Sequence, residues 1–186
     1  MWPFSKSQPV AASGILCEIT DYHSHILPGV DDGVKTMNES LQILAEMKHQ
    51  GVRKVWFTPH IMEDIPNTNA GLRERFQELK EKFRKPEDTY LGTVELNLAA
   101  EYMMDSLFAE RLEADDLLPI YEGGYRYLLV ETTGFTPPMN LLPILKRIQT
   151  KGYRPLLAHP ERYLYMGTSY YCCLLYTSDA ADDLIG

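Results

Sequence analysis

Cysteine is scarce in this chain, and the three present, Cys17, Cys172 and Cys173, include an adjacent pair. An odd count with that spacing builds no disulfide framework. None of the three is followed by a five-residue loop and an arginine, which excludes phosphocysteine chemistry. Basic residues are also in deficit: 18 Lys and Arg stand against 26 Asp and Glu, a formal charge of −8. Nucleic acid, which calls for a basic patch, is therefore not an expected partner. Long apolar runs are missing as well. None approaches the roughly 18 residues that span a bilayer, so no membrane insertion is expected. The opening MWPFSKSQPVAASG carries one lysine and no apolar h-region. It reads as a polar lead-in over residues 1–14, not a secretory signal. The expected compartment is the reducing cytoplasm. What is present, 45% hydrophobic and 24% charged over 186 residues, is ordinary globular composition with enough chain for one core.

Strand and helix signals alternate along that chain. Ile15 to Tyr22 is a short strand candidate. Thr36 to Gln50 reads as a helix, with Thr36 and Glu39 at capping-box spacing, an apolar stripe of Leu41, Leu44 and Met47, and Gly51 as the stop. VRKVWFTPH is β-branched and aromatic and breaks at Pro59. Asn69 to Arg84 is a second helix, with Leu72, Phe76, Leu79 and Phe83 at spacings of three and four. TVELNLAAEY, YRYLLVETTG and YRPLLAHPERY are further strands. Asp105 to Glu113 and Met139 to Lys151 are further helices. The alternation predicts an α/β fold, a parallel sheet or barrel with helices outside, in about five β/α units.

Metal-competent side chains recur at the ends of these strands. His23 and His25 close the first and, two apart, share a face. His60 closes the second, Glu101 the third, Glu131 the fourth and His159 the fifth. Four of the five histidines fall at such positions; only His49 lies on a helix. Functional groups of parallel barrels gather at the C-terminal strand ends, so residues far apart in sequence are expected to meet at one mouth. Asp31 and Asp32, in VDDG, fit a plain turn as well as a metal site. Asp32 is the favoured member, as a ligand or as a support for one. Asp21 either supports the histidines or closes the strand. A nitrogen and oxygen donor set without thiolate suits Mn, Fe or Zn. A carboxylate such as Glu131 can bridge two metals. Hydrolysis is the natural chemistry of such a cluster.

Taken in order, DYHSHILPGVDDG, TPHIM, AAEYMMD and HPERY resemble the bacterial metal-dependent tyrosine-protein phosphatases of capsular and exopolysaccharide operons. These form the CpsB/CapC group of the PHP (polymerase and histidinol phosphatase) superfamily. The resemblance runs from about Ile19 to Tyr165. It implies a distorted, TIM-like (β/α)7 barrel, incomplete here, and up to three divalent metals, commonly Mn. The implied ligands are His23, His25, Asp32, His60, Glu101, Glu131 and His159. Arg162 and Glu131 are implied as the catalytic residues, with Arg162 also binding the phosphate, its planar fork matching two phosphate oxygens. The implied reaction is hydroxide attack on phosphorus with a phenolate leaving group and no phosphoenzyme. The implied substrate is a phosphotyrosine protein, the tail of an autophosphorylating tyrosine kinase of polysaccharide synthesis or export. Two other readings stay open: a histidinol-phosphate phosphatase on the same scaffold, and a non-catalytic metal- or kinase-binding fragment. No oligomeric state follows.

The same resemblance leads to the expectation of a later Ser-Asp-x-His segment. TSDAADD holds a Ser-Asp pair without the histidine. Cys173 to Asp183 reads as the translation of a sequencing-library transposon adapter. Residues 173–186 are therefore expected to be an adapter-derived tail on a partial barrel domain over 15–172. The natural frame is expected to continue past about Tyr171, and this chain to be inactive or poorly folded as it stands.

Overall fold

The computed structural model describes residue 14 and residues 16–83 and 94–167. The expected lead-in (Gly14 apart) and the tail at 173–186 lie outside the described residues. Among the described residues, eight strands and four α-helices follow one another along the chain. They are β1 (Thr20–Ser24), α1 (Met37–His49), β2 (Lys54–Phe57), β3 (His60–Ile61), α2 (Asn69–Phe83) and β4 (Glu95–Leu98). Then come β5 (Glu101–Met103), α3 (Ser106–Ala114), β6 (Ile120–Glu122), β7 (Tyr125–Glu131), α4 (Leu141–Thr150) and β8 (Arg154–Leu157). Two 3₁₀ turns, Pro160–Arg162 and Leu164–Gly167, follow.

β1, β2 and β4 form one parallel sheet; β3, β5, β7 and β8 form a second. The two are halves of one curled surface. β2 runs on into β3 across Thr58 and Pro59, and β4 into β5 across Ala99 and Ala100. Pro59 has no N–H to give the ladder, which breaks the strand there. The breaks stay tied: the Thr58 N–H donates to the Ser24 carbonyl at 2.9 Å, Ala99 to Phe57 at 2.8 Å and Glu101 to Pro59 at 3.1 Å. The result is an open, mixed α/β half-barrel of five parallel units in chain order.

The main core lies between sheet and helices, around Leu27, Leu44, Val55, Phe57, Leu72, Leu79, Tyr102, Leu128 and Ile148. A smaller cluster, Trp56, Ala99, Ile120, Leu129 and Ala158, joins alternating positions of the central strands. α1 starts as its sequence demands. The Thr36 hydroxyl accepts from the Glu39 N–H while the Glu39 carboxylate accepts from the Thr36 N–H. Asp105 caps α3 by a single bond, its carboxylate accepting the Phe108 N–H at 2.9 Å.

Two boundaries and one element depart most from the sequence expectation. β1 begins at Thr20, because residues 16–18 turn and Glu18 takes a left-handed φ of 64°. α4 begins at Leu141, after the Pro137–Pro138 pair. β6, which the sequence reading passes over, pairs antiparallel with the first half of β7 across Gly123 and Gly124. Both glycines have positive φ, as the tight hairpin requires. No helix among the described residues is long and apolar enough to cross a membrane.

Leu44, fully buried in the core, tests this packing. Leu44→Ala is expected to lower the free energy of unfolding in urea by about 2–5 kcal/mol. Thr36→Ala, which removes only the cap, is expected to cost about 1 kcal/mol.

Candidate metal centre

The breaks in the strands set the site. Glu101 opens β5 and His60 opens β3, each just after its break and not at the end of the preceding strand. Glu131 is the last residue of β7. His23 lies in β1, His25 one residue beyond it, and His159 two residues beyond β8. All six converge at one end of the half-barrel.

Glu101 stands in the middle with its side chain fully buried. Its Oε2 is 3.0 Å from Nε2 of His23, 3.0 Å from Nε2 of His25 and 3.3 Å from Nδ1 of His60. Its Oε1 is 3.1 Å from Nε2 of His159. Glu131 meets two of the same rings, His60 Nδ1 at 3.0 Å and His159 Nε2 at 3.4 Å. Asp32 reaches His60 Nε2 at 3.6 Å from the solvent side. Asp31 lies behind the cluster, its Oδ2 2.8 Å from Nδ1 of His25. Arg162 and Glu161, on the first 3₁₀ turn, line the same cavity of about 650 Å³ together with Asp32 and Gly33. Each residue of the expected set therefore comes to this mouth. Asp21 does not support a ring; its carboxylate accepts the His23 backbone N–H at 3.2 Å.

Electrostatics at this mouth are strongly coupled. Burial would pull His25 down, but its bonds to Asp31 and Glu101 outweigh that and hold it up at about 10. Burial likewise opposes charge on His60, yet Glu131 and Glu101 raise it above the usual histidine value. Burial would raise Glu101, but the hydrogen bonds from His23 and His25 hold its carboxyl far below the ordinary range.

The donor set fits divalent metal ions. Three groups, each with ligand atoms within 4.8 Å of one another, can hold a metal: His23, His25 and Glu101; His25, Asp32 and His60; His60, Glu101 and Glu131. Buried lone-pair atoms at the centre, Glu101 Oε1, Glu131 Oε1 and His60 Nδ1, approach their neighbours closely without an aligned hydrogen bond. Atoms that converge in this way are arranged for a shared cation.

The surroundings hold these groups in place. The chain between His25 and Val34 folds back on itself through the Val34 N–H to the His25 carbonyl at 3.0 Å and the Gly29 N–H to the Val34 carbonyl at 2.8 Å. A Cβ on Gly33 would lie 2.1 Å from the His25 carbonyl oxygen, so only glycine fits. The Asn67 amide donates to the carbonyls of Val30 and His60, both at 2.9 Å, and joins this loop to β3. His159 adopts a left-handed backbone, φ 32° and ψ 56°, unusual for a side-chain-bearing residue. Tyr163 packs against its ring at 5.6 Å and stacks on Tyr165, whose hydroxyl bonds Thr132. Tyr163 and Tyr165 are thus buried supports of this ring. The sequence marks Gly33 only as the glycine of a plain VDDG turn and Asn67 and Thr132 only as loop residues; no local pattern shows that they hold the site together.

A parallel half-barrel whose mouth gathers histidines and carboxylates defines the class: an α/β domain of PHP type with a candidate metal centre. The profile of the family described as "Capsular polysaccharide synthesis, CpsB/CapC" matches residues 19–172, and the chain belongs to that family. It is 32% identical over 144 residues to the tyrosine-protein phosphatase CpsB of Streptococcus pneumoniae, covering 77% of this chain and 57% of that protein. It is 30% identical over 146 residues to the tyrosine-protein phosphatase YwqE of Bacillus subtilis, covering 76% and 54%. Among solved structures it resembles a chain from the work on YwqE from Bacillus subtilis and CpsB from Streptococcus pneumoniae, described there as unique metal-dependent tyrosine phosphatases. The TM-score is 0.67 at 27% identity, over 80% of this chain and 58% of that one. The chain thus spans little more than half the length of the relatives it matches.

Two outcomes test this geometry. Gly33→Ala is expected to destabilise the protein by about 1–3 kcal/mol in thermal or urea unfolding, because the His25 backbone must move. In the metal-free protein, folding retains a proton on His25 that the unfolded chain releases near pH 6.5. Its stabilising contribution is therefore complete below about pH 6.5 and falls as pH rises toward about 10. His25→Gln is expected to flatten that part of the stability–pH curve.

Proposed function

We propose that the domain over 15–172 is the metal-binding part of a metal-dependent protein-tyrosine phosphatase. In this reading His23, His25, Asp32, His60, Glu101, Glu131 and His159 hold up to three divalent ions, Mn before Fe or Zn, and Arg162 binds the phosphoryl group. The observation that carries it is Glu101, a buried carboxylate in contact with four imidazoles and flanked by Glu131 across His60 and His159. The names of the relatives support the reaction class, and the family description supports a place in capsule synthesis.

The metals, when bound, supply Lewis acidity and a hydrolytic nucleophile at neutral pH. The chain's own residues do the rest. Arg162, exposed at the cavity rim, offers two parallel N–H donors to the phosphoryl oxygens. Glu131, on the last position of β7, reaches both His60 and His159 and so fixes their separation. The open mouth leaves room for a phenolate to depart into water. The substrate is a phosphotyrosine protein, and its source is the tail of an autophosphorylating tyrosine kinase of polysaccharide export. The setting is the cytoplasm.

Phosphate release measured with and without Mn²⁺ tests this, on a phosphotyrosine peptide and on histidinol phosphate. Mn²⁺-dependent release from the peptide, with histidinol phosphate a poor substrate, is expected. Arg162→Ala is expected to lower kcat/KM by about 10²-fold with metal content unchanged. Bound metal with no release from either compound would sink the catalytic reading of this chain.

A further inference from the structure

We propose that Asp31 is a positioning residue that sets the His25 ring and the β3 backbone in one register and so bears on all three candidate metal groups at once. The proposal rests on the metal-centre reading above. The Asp31 carboxyl group is fully buried, unlike that of Asp32 beside it, which is 76% exposed. Its Oδ2 accepts from Nδ1 of His25 at 2.8 Å and from the His60 backbone N–H at 3.1 Å. Its Oδ1 accepts from the Gly33 N–H at 3.0 Å. One carboxylate thus holds the loop after β1 against the start of β3.

The consequence follows from which atoms are used. With Nδ1 of His25 committed to Asp31, Nε2 is the nitrogen left to face Glu101 and His23, and it does so at 3.0 and 3.1 Å. A carboxylate behind a ligating imidazole fixes its tautomer and direction. The same oxygen anchors the backbone of His60, whose Nε2 faces Asp32 and whose Nδ1 faces Glu131. His25 and His60 belong together to the group with Asp32, and each also belongs to one further group. Loss of Asp31 therefore loosens more than one position.

Chemistry also dictates aspartate. All three neighbours are donors, so only a group that accepts on both oxygens satisfies them. Asparagine has the same shape, but it must turn its NH₂ toward at least one N–H. A packing role would tolerate Asn; a positioning role through charge would not.

Calorimetric titration with Mn²⁺ and the ¹⁵N spectrum of the histidine rings together test this, on the whole chain and on Asp31→Asn and Asp31→Ala. His25→Gln assigns the His25 signals. A hydrogen-bonded, exchange-protected Nδ1 proton on His25 is expected in the parent and is expected to vanish in Asp31→Ala. Mn²⁺ affinity is expected to fall about 10- to 100-fold in Asp31→Ala and about tenfold in Asp31→Asn, with far-ultraviolet circular dichroism unchanged. An unprotected Nδ1 in the parent overturns the proposal without any variant, which covers the case in which the variants do not fold. Affinities within twofold of the parent in both variants overturn it too. A parent that binds no Mn²⁺ refutes the metal reading, and the Nδ1 proton then still decides the role of Asp31.

Discussion

A carboxylate removed from water is the constraint on which this fold turns. Burying an isolated anion costs several kcal/mol even after relaxation. Glu101 is buried at the centre of the half-barrel and is tolerable only because cationic or coordinating partners surround it. Those four partners come from three separate strand units: His23 in β1 and His25 just after it, His60 at the start of β3, and His159 after β8. The sheet is shaped to bring them there. Its two central strands break, at Pro59 and at Ala99–Ala100, and each restarts on a metal-competent residue. The breaks are placements: they let the ladder continue while re-aiming His60 and Glu101 toward the mouth.

Most of this was legible from the sequence. The capping box at Thr36 and Glu39, the stripe along α2 and the strand-terminal histidines and glutamates are local patterns whose physics survives without tertiary context. The parallel order of units followed from strand–helix alternation. Other features were not legible, for definite reasons. β6 is only three residues long, too short for its alternation to register, although the Gly-Gly after it was the hairpin signal. The start of β1 was displaced because a left-handed Glu18 leaves no mark in the sequence. The division of labour between Asp31 and Asp32 could not be read, since adjacent acids in a glycine turn have the same local chemistry. Only the fold shows that one points into the protein and the other into the cavity.

The two sides of the mouth are held differently. On the β1 side, backbone closure at Gly33 and the Asn67 amide do the holding, with Asp31 between them. On the β8 side, His159 sits in a left-handed conformation that stacked tyrosines must maintain. Strain of that kind persists only where packing over-determines it. The Tyr163 phenol, pushed up to about 12 by burial, remains neutral there through the physiological range.

The partners of Glu101 also span the chain from residue 23 to residue 159, with Glu101 itself between them. Contacts so distant in sequence form only after the intervening loops have closed. On a ribosome, the first histidines emerge long before the last one. The nascent chain therefore carries only part of the cluster until β8 and the turn after it have left the exit tunnel, so the gathering of imidazoles around Glu101 is completed late and reports on a folded half-barrel.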